Sequence, residues 1–360
     1  MLQTKRRAER ITCNCTMKKL YNKIDRRELI RKMLESDEER MTVSFYQYAK
    51  IGNPELFRDF LYIHWEELGV LGRTYVAKEG INAQVSLPKA NFDAFREHLY
   101  SIEFLNGIRL NVAIEDDGKS FYKLKIKVRK KIVADGLEDE SFDVTNKGRH
   151  LNAAEFNELV AEEGTLLVDM RNHYETEVGH FIGALKPDVD TFRQEIDYVE
   201  DLLKKEKPSN IVMYCTGGIR CEKASAWFKH VGFDNVHQLE GGIIEYARQV
   251  KNQGLENRFI GKNFVFDERR AERISDDVIA VCHQCGESCD EHTNCENVAC
   301  NLLFIQCEKC KGEMEGCCSD NCKEIIHLPE EEQKERRKGL VNSNKIFRKG
   351  RSEVLKFKHT

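Results

Sequence analysis

The sequence predicts a multidomain α/β protein with three folded parts. The first third of the chain carries strand and helix patterns in the order βαββαβ, which is typical of a ferredoxin-like α+β domain. The middle third alternates short apolar runs with helix-like stretches, which indicates a parallel sheet with helices on both faces. Ten of the 14 cysteines fall between residues 282 and 322, which marks a separate cysteine-rich segment.

We expect seven segments along the chain. They are a basic N-terminal extension (1–40), the ferredoxin-like domain (41–134), a linker (135–147), the parallel α/β domain (148–255), a second linker (256–280), the cysteine-rich region (281–328) and a basic tail (329–360). No apolar run approaches the roughly 20 residues of a membrane span, and the N-terminus lacks a signal-peptide pattern. The CxxC clustering of the cysteines favours a reducing compartment, so we expect a cytoplasmic protein without membrane contact.

The ferredoxin-like domain is assigned from strand and helix patterns around one tight turn. Strands are predicted at 42–49, 73–77, 81–87 and 109–114, and helices at 54–68 and 89–101. The turn between the second and third strands is Glu79-Gly80-Ile81-Asn82. A further strand follows, with cations on its outward face at Lys123, Lys125, Lys127, Arg129 and Lys131.

Positive charge is concentrated in this last strand and at the chain ends. Residues 119–131 hold seven Lys or Arg and no acid, whereas ordinary exposed strands mix both signs. We therefore expect the five outward cations to contact RNA phosphates, the alternative being a solvated face. Residues 1–32 and 334–360 each carry a net charge of +8, which suits either RNA binding or solvated tails. Cys13 and Cys15 have no assigned role.

The central domain contains a cysteine in a setting that activates sulfur. Strands are predicted at 165–169, 211–214 and 236–239, and helices at 152–162, 191–206 and 221–231. Between the second strand and the third helix the chain reads Tyr214-Cys215-Thr216-Gly217-Gly218-Ile219-Arg220-Cys221. Cys215 then faces free backbone amides and the positive end of a helix, which favour the thiolate. We expect both glycines to adopt positive φ, and Arg220 to add a fixed positive charge.

The length of this loop separates two kinds of chemistry. Only four residues lie between Cys215 and Arg220, whereas the similar loop of cysteine phosphatases has five and fits a phosphoryl group. The shorter loop suits the sulfur atom of a persulfide. The alternative to a catalytic role is that Cys215 is a buried core cysteine beside a turn. Cys221 is either a resolving thiol or a packing residue. Asp169 and Arg171 are expected to support the fold as an ion pair rather than to catalyse.

Residues 148–250 resemble a rhodanese domain. The resemblance rests on Val168-Asp169-Met170-Arg171, Glu175, the turn from Gly179 to Ala184, the Cys215 loop and the stretch from Val236 to Ile243. It implies that Cys215 is the active-site cysteine, as the loop itself indicates.

The cysteine-rich region has the spacing of a metal site. Cys282/Cys285 and Cys307/Cys310 are CxxC pairs, which together complete a structural zinc site with four cysteine ligands. Further ligands for a second ion are expected among Cys295, Cys300, Cys317 and Cys322, with Cys289, Cys318, His283 and His292 also nearby. Zinc is favoured over an iron–sulfur cluster or free thiols.

The whole layout resembles the bacterial tRNA uridine hydroxylases of the rhodanese-related type. The resemblance covers residues 40–325, so that the extension and the tail after 334 look like additions specific to this chain. It implies oxygen-dependent conversion of the wobble uridine to 5-hydroxyuridine, with the tRNA anticodon loop as partner.

Two alternatives to this reaction remain at this stage. One is a rhodanese-type sulfurtransferase that carries a cysteine persulfide for tRNA thiolation or for small thiophilic acceptors. The other is an RNA-binding module without activity, but the intact Cys215 and Arg220 count against it. The sequence has no flavin fingerprint and no facial triad for iron, so it identifies neither an electron donor nor the means of oxygen activation; it also indicates no oligomeric state.

Overall fold

The computed structural model describes residues 20, 24–139, 141–338 and 349–357. Most of the predicted basic extension, with Cys13 and Cys15, lies outside the described residues, as does part of the basic tail. The first described helix, α1 (Arg26–Glu35), precedes the N-terminal domain. No helix in the described part of the chain combines the length and apolar character needed to cross a membrane.

The N-terminal domain confirms the ferredoxin-like prediction, and its fifth strand is the predicted cationic one. Its elements are β1 (Arg40–Tyr48), α2 (Pro54–Glu67), β2 (Leu71–Ala77), β3 (Gly80–Pro88), α3 (Phe92–Tyr100), β4 (Asn111–Val112) and β5 (Leu124–Val128). The sheet order is β4-β1-β3-β2-β5, with β5 parallel to β2 at one edge. Gly80 has φ 145°, and a Cβ there would lie 2.0 Å from the carbonyl oxygen of Gln47, so the tight turn requires glycine.

The edge strand β5 shows the predicted alternation over a shorter length. Leu124 and Ile126 are buried against the domain core, while Lys125 between them is exposed. The strand ends at Val128 rather than at residue 131, because the chain then turns away from the sheet and the Lys131 amine ion-pairs with Asp135 at 2.6 Å.

The central domain is the predicted parallel sheet with helices on both faces. Its elements are β6 (Arg149–Leu151), α4 (Ala153–Leu159), β7 (Thr165–Asp169), α5 (His173–Thr176), β8 (Gly179–Phe181), α6 (Phe192–Glu206), β9 (Asn210–Tyr214), α7 (Ile219–His230), β10 (Val236–Leu239) and α8 (Gly242–Gln253). Strands β6, β10, β9 and β7 are parallel neighbours in that order. One core cluster packs Phe192 and Phe228 on one face, and another packs Phe156 and Tyr246 on the other.

Residues 256–280 are structured, although the sequence analysis expected a linker. They contain β11 (Phe259–Phe264) and β12 (Ala271–Arg273), and β11 pairs antiparallel with both β12 and β8 of the central domain. Phe259 is almost fully buried beside Phe181, so this segment completes the central core instead of bridging two domains.

The cysteine-rich part is built from short elements and is covered by the end of the chain. It contains β13 (His292–Asn294), β14 (Leu303–Ile305), α9 (Glu308–Glu313), α10 (Asp320–Ile326) and α11 (Glu330–Arg337). Within residues 349–357, expected to be tail, Leu355 is buried against Phe304 and the cysteines. This stretch is therefore part of the folded body.

Candidate active site

The loop after β9 points its amides at the sulfur of Cys215. Gly218, with φ 98°, precedes α7, and its N–H donates to the Cys215 sulfur over 3.1 Å. A Cβ on Gly218 would lie 2.7 Å from the hydroxyl of Tyr46, so both the conformation and the close approach require glycine. Gly217 does not have positive φ, which corrects the expectation that both glycines would.

The surroundings of Cys215 favour its thiolate. Burial by itself raises the pKa of the Cys215 thiol, but the Cys221 thiol, the charge of Arg220 and the backbone amides of both residues prevail and lower this pKa to about 6. Burial raises the pKa of Cys221 well above its usual range, and the neighbouring Cys215 acts in the same direction. At neutral pH Cys215 is thus a thiolate, and Cys221 is a protonated thiol that donates to it.

The guanidinium of Arg220 is held by a buried carboxylate. Two nitrogens of Arg220 donate to the two oxygens of Glu175, each over 2.8 Å, and Glu175 is fully buried on α5. Burial by itself raises the pKa of Glu175, but the charge and hydrogen bonds of Arg220 outweigh burial and lower this pKa below its usual value, so the carboxylate is charged. Arg220 therefore stabilises both the Cys215 sulfur and a buried acid.

Asp169 and Arg171 form a second buried ion pair behind the site. Arg171 donates to the carboxylate of Asp169 over 2.8 and 2.7 Å and to the carbonyl oxygen of Gly179 over 2.7 Å. The hydroxyl of Tyr214 donates to Asp169 over 2.5 Å. These contacts tie β7, β8 and β9 together beneath the loop, and none of them reaches the sulfur.

Cys215 lines a cavity of about 810 Å³ between the domains. Its walls combine aromatic rings and cations from three parts of the chain, namely Tyr46, Arg73 and Tyr75 from the N-terminal domain, Tyr174 and Phe266 from the central region, and Lys349 from the C-terminal stretch. None of these six residues is predicted from the sequence to belong to the site, because each comes from an element distant in sequence from Cys215.

Tyr46 joins the N-terminal domain to the active-site loop. Its hydroxyl donates to Glu222 of α7 over 3.2 Å, and Glu222 also contacts His150 and Lys147 at 2.8 Å. A second contact links the turn of the N-terminal domain to α7, since Glu79 ion-pairs with the amine of Lys223 at 2.5 Å. The cavity therefore depends on both domains.

A cationic groove opens beside this cavity. Lys123, Lys125 and Lys127 line it together with Arg73, Arg270 and Lys349. Burial lowers the pKa of Lys125, and the neighbouring charges of Lys127, Lys123 and Arg73 lower it further. None of the three lysines has an ion-pair partner among the residues described. Asp267 and Glu268 also line the groove, so its six cations exceed its two acids and its charge is positive.

The other two predicted RNA-contacting residues are not among those that line the groove. The guanidinium of Arg129 lies 5.6 Å from the ring centre of Tyr75, and Lys131 is paired with Asp135 and with the carbonyl oxygen of Leu137. Only three of the five predicted cations therefore line the groove.

The C-terminal cysteines form two compact sets of four. The first is Cys282, Cys285, Cys307 and Cys310, and the second is Cys295, Cys300, Cys318 and Cys322. Within each set all four sulfur atoms lie within 4.8 Å of one another, and the closest measured pairs are 3.6 to 3.8 Å apart. Thiolates bound tetrahedrally at about 2.3 Å from zinc stand about 3.8 Å apart, so both sets match zinc in size and donor type.

The second set differs from the expected one by one residue. Cys318 takes the position for which Cys317 was predicted, and Cys317 lies outside both sets. His283 and His292 are also outside them; the ring of His283 instead contacts Glu177 of the central domain at 2.6 Å.

Models of three known families match successive parts of the chain. Residues 40–132 match the UPF0176 acylphosphatase like domain, residues 152–249 the Rhodanese-like domain and residues 260–323 the Rhodanase C-terminal. The last match begins inside β11, in agreement with the structured segment found there.

The chain is also similar to named bacterial proteins over most of its length. The tRNA uridine(34) hydroxylases of Photorhabdus laumondii, Salmonella arizonae and Yersinia pestis are 56%, 55% and 57% identical to it. The alignments cover 93%, 93% and 92% of this chain and 96%, 96% and 94% of those relatives. Because 336 of the 360 residues align with the first relative, the expectation that both terminal segments are additions is wrong for part of them. The chain belongs to the family of the tRNA uridine(34) hydroxylases.

Proposed function

We propose that this protein hydroxylates the wobble uridine of tRNA to 5-hydroxyuridine in the cavity lined by Cys215. One atom of dioxygen enters the base, and a two-electron reductant converts the other to water. Family membership supports the reaction, and the observation that supports its location is a thiolate facing a cavity of about 810 Å³. Binding pockets of roughly 300–1,000 Å³ suit small molecules, so this one accepts a nucleotide but not a duplex. The target base must therefore leave its stack, which the unpaired bases of an anticodon loop do readily.

Each part of the cavity has a separate task in this proposal. The Cys215 thiolate is the nucleophile presented to the base, and the Gly218 amide with the N-terminus of α7 stabilises its charge. The rings of Tyr46 and Tyr75 offer stacking faces of the kind that bind unpaired bases. Tyr46 also joins the two domains over the loop and thereby limits the access of water.

The cationic groove is the proposed path of the tRNA backbone. Its lysines on β5 alternate with buried residues, so Lys125 and Lys127 are roughly 6.6 Å apart, which is close to the separation of successive phosphates. Such contacts fix the position of the RNA without reading its bases. Reversing Lys125 and Lys127 to Glu should weaken tRNA binding and flatten its salt dependence, while the alkylation rate of Cys215 stays the same. Tight tRNA binding by this double variant at physiological salt would place the backbone elsewhere.

We also propose that each cysteine set holds one structural zinc ion. The first set joins two CxxC turns, and the second joins α10 to the preceding loops, so each ion would cross-link segments with little apolar core of their own. Zinc thiolates persist where disulfides do not form, which agrees with a cytoplasmic tRNA-modifying protein.

The decisive experiment measures tRNA nucleosides by accurate mass. Cells that lack the protein should lose the uridine derivative with one added oxygen atom, and the wild-type gene but not Cys215→Ser should restore it. Exchange of oxygen for sulfur would instead support the sulfurtransferase alternative, which the names of the relatives do not favour. Normal hydroxylation by Cys215→Ser would contradict the role of the thiolate.

A further inference from the structure

Two cations lie where the groove meets the catalytic cavity. Arg73 on β2 and Lys349 near the C-terminus each line both spaces. The groove holds the lysines of β5, and the cavity holds Cys215. A nucleotide whose base reaches Cys215 while its neighbours remain in the groove therefore brings its own phosphate into the region that both side chains line.

The backbone of Lys349 is fixed in place. Its carbonyl oxygen lies 2.8 Å from Nε2 of His173, and the next N–H, of Gly350, donates to the carbonyl oxygen of Leu303 over 2.8 Å. Farther along, Leu355 is buried, and the N–H of Phe357 donates to His283 over 3.0 Å. These anchors on two domains hold the Lys349 amine at the mouth of the cavity.

The amine of Lys349 is surrounded by rings and lacks a counter-ion in contact. It lies 3.7 Å from the ring centre of Tyr174, and the rings of Phe264 and Phe266 are about 6 Å away. No hydrogen bond or ion pair of this amine is found within the described portion of the chain. Apart from the ring of Tyr174, the described residues therefore offer its N–H donors no acceptor.

The charges around Lys349 are those of an anion site. Burial lowers the pKa of the Lys349 amine to about 8, the charges of Arg73 and Arg220 also lower it, and only Glu175 raises it. Glu175 is already neutralised by its two bonds to Arg220. Arg73 donates to the carbonyl oxygen of Phe266 over 2.9 Å and has no carboxylate partner among the described residues. Arg73 and Lys349 thus bring like charges near each other, and neither is ion-paired among the described residues, while Asp267 and Glu268 are the acids that line the adjoining groove.

We propose that Arg73 and Lys349 bind one phosphate of the target nucleotide, so that the C-terminal stretch of the chain is part of the active site. The proposal rests on an RNA substrate, as proposed above. A planar guanidinium and an ammonium are the groups that proteins use to bind phosphate. Because both line the groove as well as the cavity, they would fix the phosphate while the base occupies the cavity beyond.

Salt-dependent binding of an anticodon stem-loop RNA tests this phosphate clamp, formed by Arg73 and Lys349. The loss of one phosphate contact lowers the slope of log affinity against log salt by about 1. Lys349→Ala and Arg73→Ala should each show that loss, whereas Lys349→Arg should keep the wild-type slope. Lys356→Ala, an exposed cation of the same stretch, is the matched control and should change nothing. Unchanged slopes for both Arg73→Ala and Lys349→Ala would overturn the proposal.

A second measurement separates phosphate contact from base contact and from misfolding. Uridine 5′-monophosphate should protect Cys215 from alkylation better than uridine does, and Lys349→Ala should remove that advantage. Lys349→Ala should keep the wild-type protection by uridine, and Lys356→Ala should keep the protection by both compounds, which shows that the loop is intact. Equal loss of protection by uridine and by its monophosphate would assign Lys349 to the base and reject the clamp.

Failure of the clamp and failure of the proposed reaction give different results. Suppose that the wild-type protein hydroxylates tRNA, that Lys349→Ala and Arg73→Ala keep the wild-type salt slope, and that Lys349→Ala keeps the better protection by the monophosphate. The clamp is then rejected and the reaction stands. If the slopes fall as expected but the wild-type protein adds no oxygen to tRNA, the phosphate site stands and the reaction is rejected.

Discussion

Removal of the Cys221 thiol should raise the pKa of Cys215 and slow its reactions at neutral pH. Apart from burial, which opposes it, the hydrogen bond from the Cys221 side chain is the largest influence on the Cys215 thiol. A hydrogen bond to a charged group contributes about 1.5–3 kcal/mol, and one pKa unit corresponds to about 1.4 kcal/mol. Cys221→Ala should therefore move the pKa of Cys215 from about 6 to between about 7 and 8.

The assay is the pH dependence of alkylation by iodoacetamide, followed on the Cys215 peptide by mass spectrometry. At pH 7 the thiolate fraction, and with it the rate, should fall about two- to tenfold in Cys221→Ala. Cys221→Ser keeps a donor of similar size and is the matched control, so its titration midpoint should remain near that of the wild type. A midpoint that stays near 6 in Cys221→Ala, or moves as far in Cys221→Ser, would refute the assignment of Cys221 as the donor.

Three further predictions concern buried charge and metal ligands. Arg220→Ala should lower the free energy of unfolding by about 3–5 kcal/mol, because it leaves the Glu175 carboxylate buried without its ion-pair partner. The double variant Arg220→Ala with Glu175→Gln should recover part of this loss. An unchanged denaturation midpoint in Arg220→Ala would contradict the prediction. Elemental analysis should find two zinc ions in the wild type and in Cys317→Ala but about one in Cys318→Ala, and equal losses in both variants would reject the grouping. Burial raises the pKa of Glu195 well above its usual range, and neither of its oxygens has a hydrogen-bond partner within the described residues. The protonated Glu195 side chain therefore contributes its full share to the stability of the folded state below about pH 4.3, the pKa of a glutamate in the unfolded chain. This contribution is lost as the pH rises towards the raised pKa of the folded state. The stability of Glu195→Gln relative to the wild type should therefore increase with pH, and equal melting-temperature differences at pH 5 and pH 8 would contradict that.

Sequence patterns predicted the structure correctly where that structure depends only on residues close together in the chain. Alternation of Lys125 with Leu124 and Ile126 was sufficient to predict an edge strand with one cationic face. The order of strand, glycine and helix around Cys215 was sufficient to predict amides aimed at the sulfur, as the bond from Gly218 confirms. In both cases the geometry is set by a few consecutive residues.

The grouping of the C-terminal cysteines into two sets depends on more than their spacing in the sequence. CxxC spacing places two thiolates on one turn, so the pairing of Cys282 with Cys285 was predictable. Cys317 and Cys318 are adjacent, and spacing does not distinguish them. Only the start of α10 decides the choice, because it brings the sulfur of Cys322 within 3.8 Å of Cys318.

By itself the sequence predicted the three folded parts, the loop around Cys215 and a C-terminal cysteine cluster with the spacing of a metal site, and it pointed to a tRNA-modifying family. Tertiary structure alone decided what surrounds the sulfur. Tyr46, Arg73 and Lys349 belong to elements far apart in sequence and meet at one cavity only after the domains pack. Turns, strands and helix starts are set by forces between consecutive residues, whereas the walls of a cavity between domains are set by how complete surfaces fit together, which no short stretch of sequence encodes.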